Sequence, residues 1–284
     1  MPAGEQPTGG DLAAKRVRLQ ALLRDLGGAV VAFSGGVDSA YLLAAAHDVL
    51  GDRCVGATAA SASLAAHELG VARRIAAALG VHHVVVETGE FDDPRYVRND
   101  ARRCYFCKQA LFTRLAALAD DLALPCVAYG ANADDLGDYR PGMRAAEEFR
   151  VRAPLLEAGL RKAEIRALAQ ERGLEVWDKP ASPCLSSRLP FGTPVTLEAL
   201  AQIGQSEHVL RRFGFQDVRV RHHGDTARIE VPLPDVPRLL AIVPEVTAAL
   251  QALGYRHVAV AGDGLRSGRF SAAMMQATGP EADT

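Results

Sequence analysis

Apolar positions along the chain alternate between two periods. Leu12, Leu19, Leu22, Leu23 and Leu26 recur at helical spacing, and Gly27-Gly28 closes that helix before an apolar run over Val30–Phe33. After a short polar break, Tyr41 to Ala46 are mostly good helix formers. A second apolar run covers Cys54 to Thr58, and Ser63 is placed to cap a helix that ends at Leu79 with Gly80 behind it. Val84-Val85-Val86 reads as a third strand. Strands separated by helices of this length predict a parallel sheet with right-handed crossovers, whose ligands bind beyond the carboxyl ends of the strands.

Residues 89 to 106 interrupt this rhythm with a polar, aperiodic stretch ending in Arg102-Arg103-Cys104-Tyr105-Phe106-Cys107-Lys108. A long polar loop in a compact domain is usually functional. A helix with Leu111, Phe112, Leu115 and Leu118 on one face follows, then a short strand, Cys126 to Tyr129, and the loop Gly130-Ala131-Asn132-Ala133-Asp134-Asp135, extended by Asp138 to Gly142. Arg161 to Arg172 reads as a helix closed by Gly173. Trp177 to Pro194 carries four prolines in eighteen residues, a stiff linker and the expected domain boundary. Beyond it the pattern predicts a helix over 197–213, strands over 218–222 and 227–231, a helix near 236–253 and a last strand over 257–261. The order α-β-β-α-β implies a smaller α+β domain with a partly antiparallel sheet. The expected organisation is a frayed terminus over 1–10, a doubly wound α/β domain over 11–190 and an α+β domain over 195–275, with residues 279–284 also frayed.

Composition narrows the function classes. The 284 residues are 49% hydrophobic and 23% charged with a net charge of -2, which argues against non-specific nucleic-acid binding. Neither a signal sequence nor an apolar run of bilayer length is evident, so the expected compartment is the cytoplasm. Five cysteines in such a chain point to thiols, a metal site or catalysis rather than a disulfide framework.

The break after the first strand, Ser34-Gly35-Gly36-Val37-Asp38-Ser39, sits between strand and helix, where phosphate binds. Gly35 and Gly36 can take backbone angles closed to other residues, and the Ser34 and Ser39 hydroxyls add donors to the amides that open the helix. A carboxylate beside a polyphosphate repels it unless a divalent cation lies between, so Asp38 is assigned to Mg2+, directly or through water. The plain alternative is a glycine turn. No Gly-x-x-x-x-Gly-Lys-Ser/Thr occurs in the chain. Asp134 and Asp135 at the end of a strand could place Mg2+ or a ribose, or could cap a helix.

Cys54 and Cys126 lie in apolar strands and read as inert core. Cys104, Cys107 and Cys184 are expected in polar or proline-rich loops, each with arginine close in sequence, and nearby positive charge favours the thiolate. Cys104-x-x-Cys107 alone is compatible with a redox pair, a metal half-site or coincidence. Three cysteines suit a cubane iron–sulfur cluster with one open iron better than a four-ligand zinc site. Arg219 and Arg221, two apart on a strand, could clamp a phosphate or form a solvated charged face. His82-His83 and His222-His223 lack metal-ligand spacing and read as surface or edge residues.

The loop Ser34–Ser39 resembles the PP-loop of the ATP pyrophosphatase superfamily, whose members cleave ATP between the α and β phosphates. Pro180-Ala181-Ser182-Pro183-Cys184-Leu185-Ser186-Ser187-Arg188, with Pro190 and Gly192-Thr193-Pro194, is more specific and resembles the LarE family over nearly the whole chain. That resemblance implies ATP-dependent sulfur transfer to the carboxylates of a pyridinium mononucleotide during assembly of the nickel-pincer nucleotide. It implies ATP bound at Ser34, Gly35, Gly36, Val37, Asp38, Ser39, Asn132 and Asp135. It places substrate at Ser187, Arg188, Glu207, Arg219, Arg221 and Arg266. Cys184 would supply sulfur or, with Cys104 and Cys107, hold a 4Fe-4S cluster that carries a transferable sulfide. It further implies a homo-oligomer, a hexamer in family members. One departure is Ala261, where the pattern before Gly264-Leu265-Arg266-Ser267-Gly268 has an acidic residue, with Asp263 nearby. The rivals are a tRNA-thiolating PP-loop enzyme, which the near-neutral charge disfavours, and an ATP-binding regulator without turnover.

Overall fold

The computed structural model describes residues 9–137 and 141–265. Residues 1–8 and 279–284 of the expected frayed ends, the loop residues Asp138, Tyr139 and Arg140, and the substrate candidate Arg266 lie outside them, while 9 and 10, expected to fray, open a helix. In chain order the first elements are α1 (Gly9–Leu26), β1 (Ala29–Ala32), α2 (Val37–Leu50), β2 (Cys54–Ala60), α3 (Ala66–Leu79), β3 (His82–Glu87), α4 (Pro94–Val97), α5 (Arg103–Asp121) and β4 (Val127–Tyr129). There follow α6 (Pro141–Glu148), α7 (Pro154–Glu157), α8 (Lys162–Glu171), α9 (Leu197–Arg212), β5 (Arg219–His223), β6 (Thr226–Glu230), α10 (Val236–Ala241), α11 (Val243–Gln251) and β7 (His257–Val260). Among the described residues these form two compact units: 9–61, 66–90, 104–137 and 141–182 make the first, and 62–65, 91–103 and 183–265 the second.

The first unit is built on a four-stranded sheet in the order β3-β2-β1-β4, parallel throughout. Strand alternation sends Val31 and Phe33 to one face, packed with Leu42 and Leu43 of α2 and Ile165 and Leu168 of α8. Val30 and Ala32 go to the other face, against Leu115 and Ala119 of α5. Helices on both faces make this a doubly wound α/β sheet, as the sequence pattern predicts. The strand order reverses beside β1, so the loops leaving β1 and β4 flank the switch-point crevice where such folds bind ligands.

The second unit pairs β5 antiparallel with β6 and β6 parallel with β7. Its core gathers Phe215, Val220, Ile229, Leu239, Val246 and Leu250. The single helix expected over 236–253 is two, α10 and α11, each with a proline in its first turn. Pro244 cannot donate the amide that a continuous helix would need, so the chain breaks at Ile242.

Two further expectations are corrected. Ser63 does not cap α3, which starts at Ala66; the Ser63 carbonyl instead accepts from the Leu185 amide at 2.8 Å. The stretch over 89–106 is not a continuous loop. Asp93 accepts from the Arg95 amide at 2.8 Å with Pro94 in the first turn, which nucleates α4, and α5 begins at Arg103. Cys104 and Cys107 therefore sit on the opening turns of a helix. Among the described residues, no helix is long and apolar enough to cross a membrane.

Candidate active site

The loop leaving β1 is shaped by its own hydroxyls. Ser39 Oγ donates to the Gly36 carbonyl at 3.0 Å, accepts from the Ser34 amide at 3.2 Å and lies 3.1 Å from Ser34 Oγ. Gly35 has φ +72°, a left-handed conformation that other residues take at a cost. Gly36 is the N-cap of α2 and offers no side-chain acceptor to the first turn. A glycine in place of a side-chain cap costs roughly a few tenths of a kcal/mol. Burial of Leu42 and Leu43, with roughly 1.5–3 kcal/mol available from each, outweighs that loss. The amides of Val37, Asp38 and Ser39 consequently remain at an uncapped helix end, where an anion can take them.

Asp38 stands at this end with its two oxygens treated differently. Oδ2 pairs with Lys162 Nζ from α8, whereas Oδ1 is buried without a hydrogen-bond partner. A buried, unpartnered carboxylate oxygen beside a phosphate-type loop fits a divalent cation, so the residues present suit Mg2+. A second lysine lies behind the loop. Lys179 Nζ donates to the Gly35 carbonyl at 3.3 Å and pairs with Glu68. Burial alone would push the Glu68 carboxyl up, but hydrogen bonds from His67, Lys179 and Ser182, with the Lys179 charge, outweigh it and hold it down at about 2.

Asn132, Asp134 and Asp135 follow β4. Asp135 Oδ2 accepts from the Asn132 amide at 3.0 Å, and Asn132 Oδ1 from the Asp134 amide at 3.0 Å. Asp134 Oδ2 takes the Lys162 amide at 2.8 Å, which makes it a cap for α8. Asp134 thus serves as a helix cap, while Asp135 braces its own loop.

Cys54, Cys126 and Cys184 are free thiols. Burial pushes the Cys54 thiol up to about 12 and raises Cys126 as well, in keeping with inert core positions. Cys104 and Cys107 are half-buried and three residues apart on α5, so both occupy one helical face. Cys184 is exposed. Among the described residues no group of three or more His, Cys, Asp or Glu side chains gathers as a metal site.

In the second unit the segment after Cys184 is pinned by buried polar contacts. Leu185–Arg188 forms a 3-10 turn whose four residues are buried. Arg188 Nη1 donates to the Pro183 carbonyl at 2.7 Å and the Cys184 carbonyl at 3.2 Å, while its Nε meets Glu207 Oε1 at 2.8 Å. Glu207, fully buried, also accepts from Arg211 and from the Val220 amide. Arg221 donates to Glu230 at 3.0 Å and to the Ser187 carbonyl at 2.7 Å. Val220 points into the core, which puts Arg219 and Arg221 together on the opposite face of β5. This is not a solvated charged face: Arg219 is 6% exposed. Burial, followed by the neighbouring guanidinium groups of Arg188 and Arg221, lowers its pKa.

Sequence reasoning missed Lys162, Lys179 and Glu68, and it missed the cradle for the cysteine segment. Tyr96 Oη bonds Ser186 Oγ at 2.8 Å, Asn99 Nδ2 reaches the Pro190 and Thr193 carbonyls at 2.7 and 2.8 Å, and Arg103 reaches the Ser186 carbonyl at 2.8 Å. The signal available was the polar character of 91–103. The histidines are less superficial than expected, since His83 bonds Thr58 Oγ1 at 2.8 Å and His222 bonds Tyr255 at 3.0 Å.

A Ser-Gly-Gly-Val-Asp-Ser loop opening a helix at the switch point of a parallel sheet defines a PP-loop α/β enzyme. No family model matches the sequence. The chain is 39% identical over 267 residues, 94% of its length and 97% of the relative's, to the pyridinium-3,5-bisthiocarboxylic acid mononucleotide synthase of Lactiplantibacillus plantarum. It is 42% identical over 262 residues, 92% of its length and 98% of the other's, to an uncharacterized Synechocystis protein. A tRNA-specific 2-thiouridylase of Azorhizobium caulinodans is 35% identical over 190 residues, 54% of this chain and 49% of that one. The chain belongs to the family of the pyridinium-3,5-bisthiocarboxylic acid mononucleotide synthase, the LarE-type PP-loop sulfurtransferases.

Proposed function

We propose that the chain adenylates a carboxylate of a pyridinium bis-carboxylic acid mononucleotide with Mg-ATP and then exchanges AMP for sulfur. The observation that carries this reading is the buried, unpartnered Asp38 Oδ1 at the uncapped start of α2. A carboxylate is a poor electrophile. Its oxygen attacks the α-phosphorus, pyrophosphate leaves, and the mixed anhydride has AMP as a good leaving group. The amides of Val37, Asp38 and Ser39 and the hydroxyls of Ser34 and Ser39 hold the phosphates, with Asn132 and Asp135 on the adjoining loop. Asp38 would hold Mg2+, which neutralises polyphosphate charge. Ser187, Arg188, Glu207, Arg219 and Arg221 form the substrate site, where the crowded guanidinium groups favour the nucleotide phosphate. Arg266 is assigned to the same site by family resemblance.

The sulfur comes from Cys184 or from a 4Fe-4S cluster on Cys104, Cys107 and Cys184. In the first version Sγ attacks the acyl carbon and AMP departs. Loss of the Cys184 α-proton and cleavage of its Cβ–Sγ bond then leave a thiocarboxylate and dehydroalanine. In the second, the three cysteines would hold the cluster, which would supply a transferable sulfide when bound. The smaller unit serves substrate binding and assembly into a homo-oligomer, and the enzyme works in the cytoplasm.

The test is AMP and pyrophosphate release under anaerobic conditions, with and without the carboxylated pyridinium nucleotide. Release that requires this nucleotide is expected. Release with tRNA instead, or none with either, would overturn the reading.

A further inference from the structure

Asp38 and Lys162 are paired across 124 residues of sequence. Lys162 is delivered from the first turn of α8, where its own amide is held by Asp134 and the Arg161 amide by Glu164 Oε2 at 2.7 Å. Glu164 is itself buried and salt-bridged to Lys15 at 2.8 Å. The root of the Lys162 side chain is thus fixed, while the side chain remains 38% exposed. Its ammonium engages a single oxygen of Asp38 and leaves Oδ1 buried and unpartnered.

We propose that Lys162 is the resident counter-ion of Asp38, displaced by a divalent cation as nucleotide binds, and that the released ammonium then turns to the nucleotide's phosphates. The inference rests on reading the loop as a Mg-ATP site. The charges favour the exchange. With Lys162 on Asp38 the pair is neutral, and no exposed negative charge faces the approaching polyphosphate. A dication on Asp38 leaves one net positive charge there and frees a second on Lys162, so both are added when four phosphate charges arrive. Neither carboxylate nor ammonium is left uncompensated at any stage, which matters where one carboxylate oxygen is already out of water. Lysine suits the task as a compact point charge on a flexible stem. Because the cation and Lys162 compete for one carboxylate and nucleotide accepts both, metal and nucleotide binding become coupled, each strengthening the other.

The experiment uses Mn2+ as a paramagnetic probe. Free Mn2+ is counted by electron paramagnetic resonance with the full chain, first alone and then with a non-hydrolysable ATP analogue. Lys162→Met is expected to bind Mn2+ alone about tenfold more tightly than wild type and the analogue about tenfold more weakly. Lys162→Arg, which keeps the charge, should stay near wild type for Mn2+ alone, and Lys162→Met/Asp38→Asn should lose the gain. If Lys162→Met leaves Mn2+ affinity unchanged although Asp38→Asn weakens Mn2+ binding with the analogue, the counter-ion role is wrong and the cation site stands. If Asp38→Asn changes neither, the cation site is wrong and the inference goes with it. Thermal melting of each variant confirms that the fold is intact, and the side chain's exposure makes Lys162→Met a mild change.

Discussion

Gly130 lies directly against the first turn of α2: a Cβ built on it would stand 2.9 Å from the Ser39 amide nitrogen and 3.1 Å from the Asp38 carbonyl carbon. Both obstacles are backbone, so they cannot swing aside as a side chain would. Gly130→Ala must shift the start of the helix whose amides are to hold phosphate. Overpacking of this kind costs about 1–3 kcal/mol. The expected result is that stability loss together with at least about tenfold weaker binding of an ATP analogue by calorimetric titration. Gly36→Ala is the contrast, because its Cβ would meet only Ser34 Oγ at 3.4 Å, and its stability should fall only by the difference between glycine and alanine at an N-cap, about 0.5–1 kcal/mol.

That contact also shows what local sequence could reveal. The loop Ser34–Ser39 was legible because strand, glycines, hydroxyls and helix formers are contiguous, and the continuous apolar run over Val30–Phe33 fits a strand buried on both faces. Lys162 and Lys179 were not, since they reach Asp38 and Gly35 from 124 and 144 residues away. Ser63 satisfied a capping pattern, yet the residues just after it stay outside α3 while its carbonyl serves Leu185. Arg102 to Lys108 looked like loop because apolar periodicity starts only at Leu111, whereas α5 already begins at Arg103. The Arg188–Glu207 pair was invisible for another reason: sequence reports charge, and only packing tells whether charge is buried.

Burial makes that pair consequential. Arg188 is 3% and Glu207 0% exposed at the side chain, and Glu207 also holds Arg211 and the Val220 amide. Removing one partner strands the other, at a cost of about 3–5 kcal/mol. Glu207→Ala is therefore expected to lose that much in urea denaturation, and Arg188→Met/Glu207→Leu less than the two single changes combined. Additive losses in the double-mutant cycle would mean that the two side chains are not coupled.

The Glu68 carboxyl gives the fold a signature in acid. It is held at about 2 against an ordinary 4.5, so its contribution is fully present above pH 4.5 and is lost as pH falls toward 2. The drop corresponds to about 3 kcal/mol at 1.36 kcal/mol per pH unit. Urea unfolding at pH 6 and pH 3 should show a smaller loss of stability for Glu68→Gln than for wild type. Equal losses would place the acid sensitivity elsewhere.

Cys184 joins an exposed thiol to a main chain held fast by Arg188 at the carbonyls of Pro183 and Cys184. Its substitution should therefore leave the fold alone, within about 0.5 kcal/mol, and act on chemistry. Cys184→Ala is expected to release AMP with the carboxylated nucleotide yet yield no thiolated product, whereas Asp38→Ala should abolish the release. Continued thiolation by Cys184→Ala would remove Cys184 as sulfur source. Intact mass after anaerobic turnover then separates the two routes. A wild-type chain lighter by the mass of one hydrogen sulfide has sacrificed Cys184 and acts once per molecule, which leaves Cys104 and Cys107 another role. An unchanged mass with thiolated product means that sulfur passed through a cluster or persulfide, and a second turnover then depends only on reloading it.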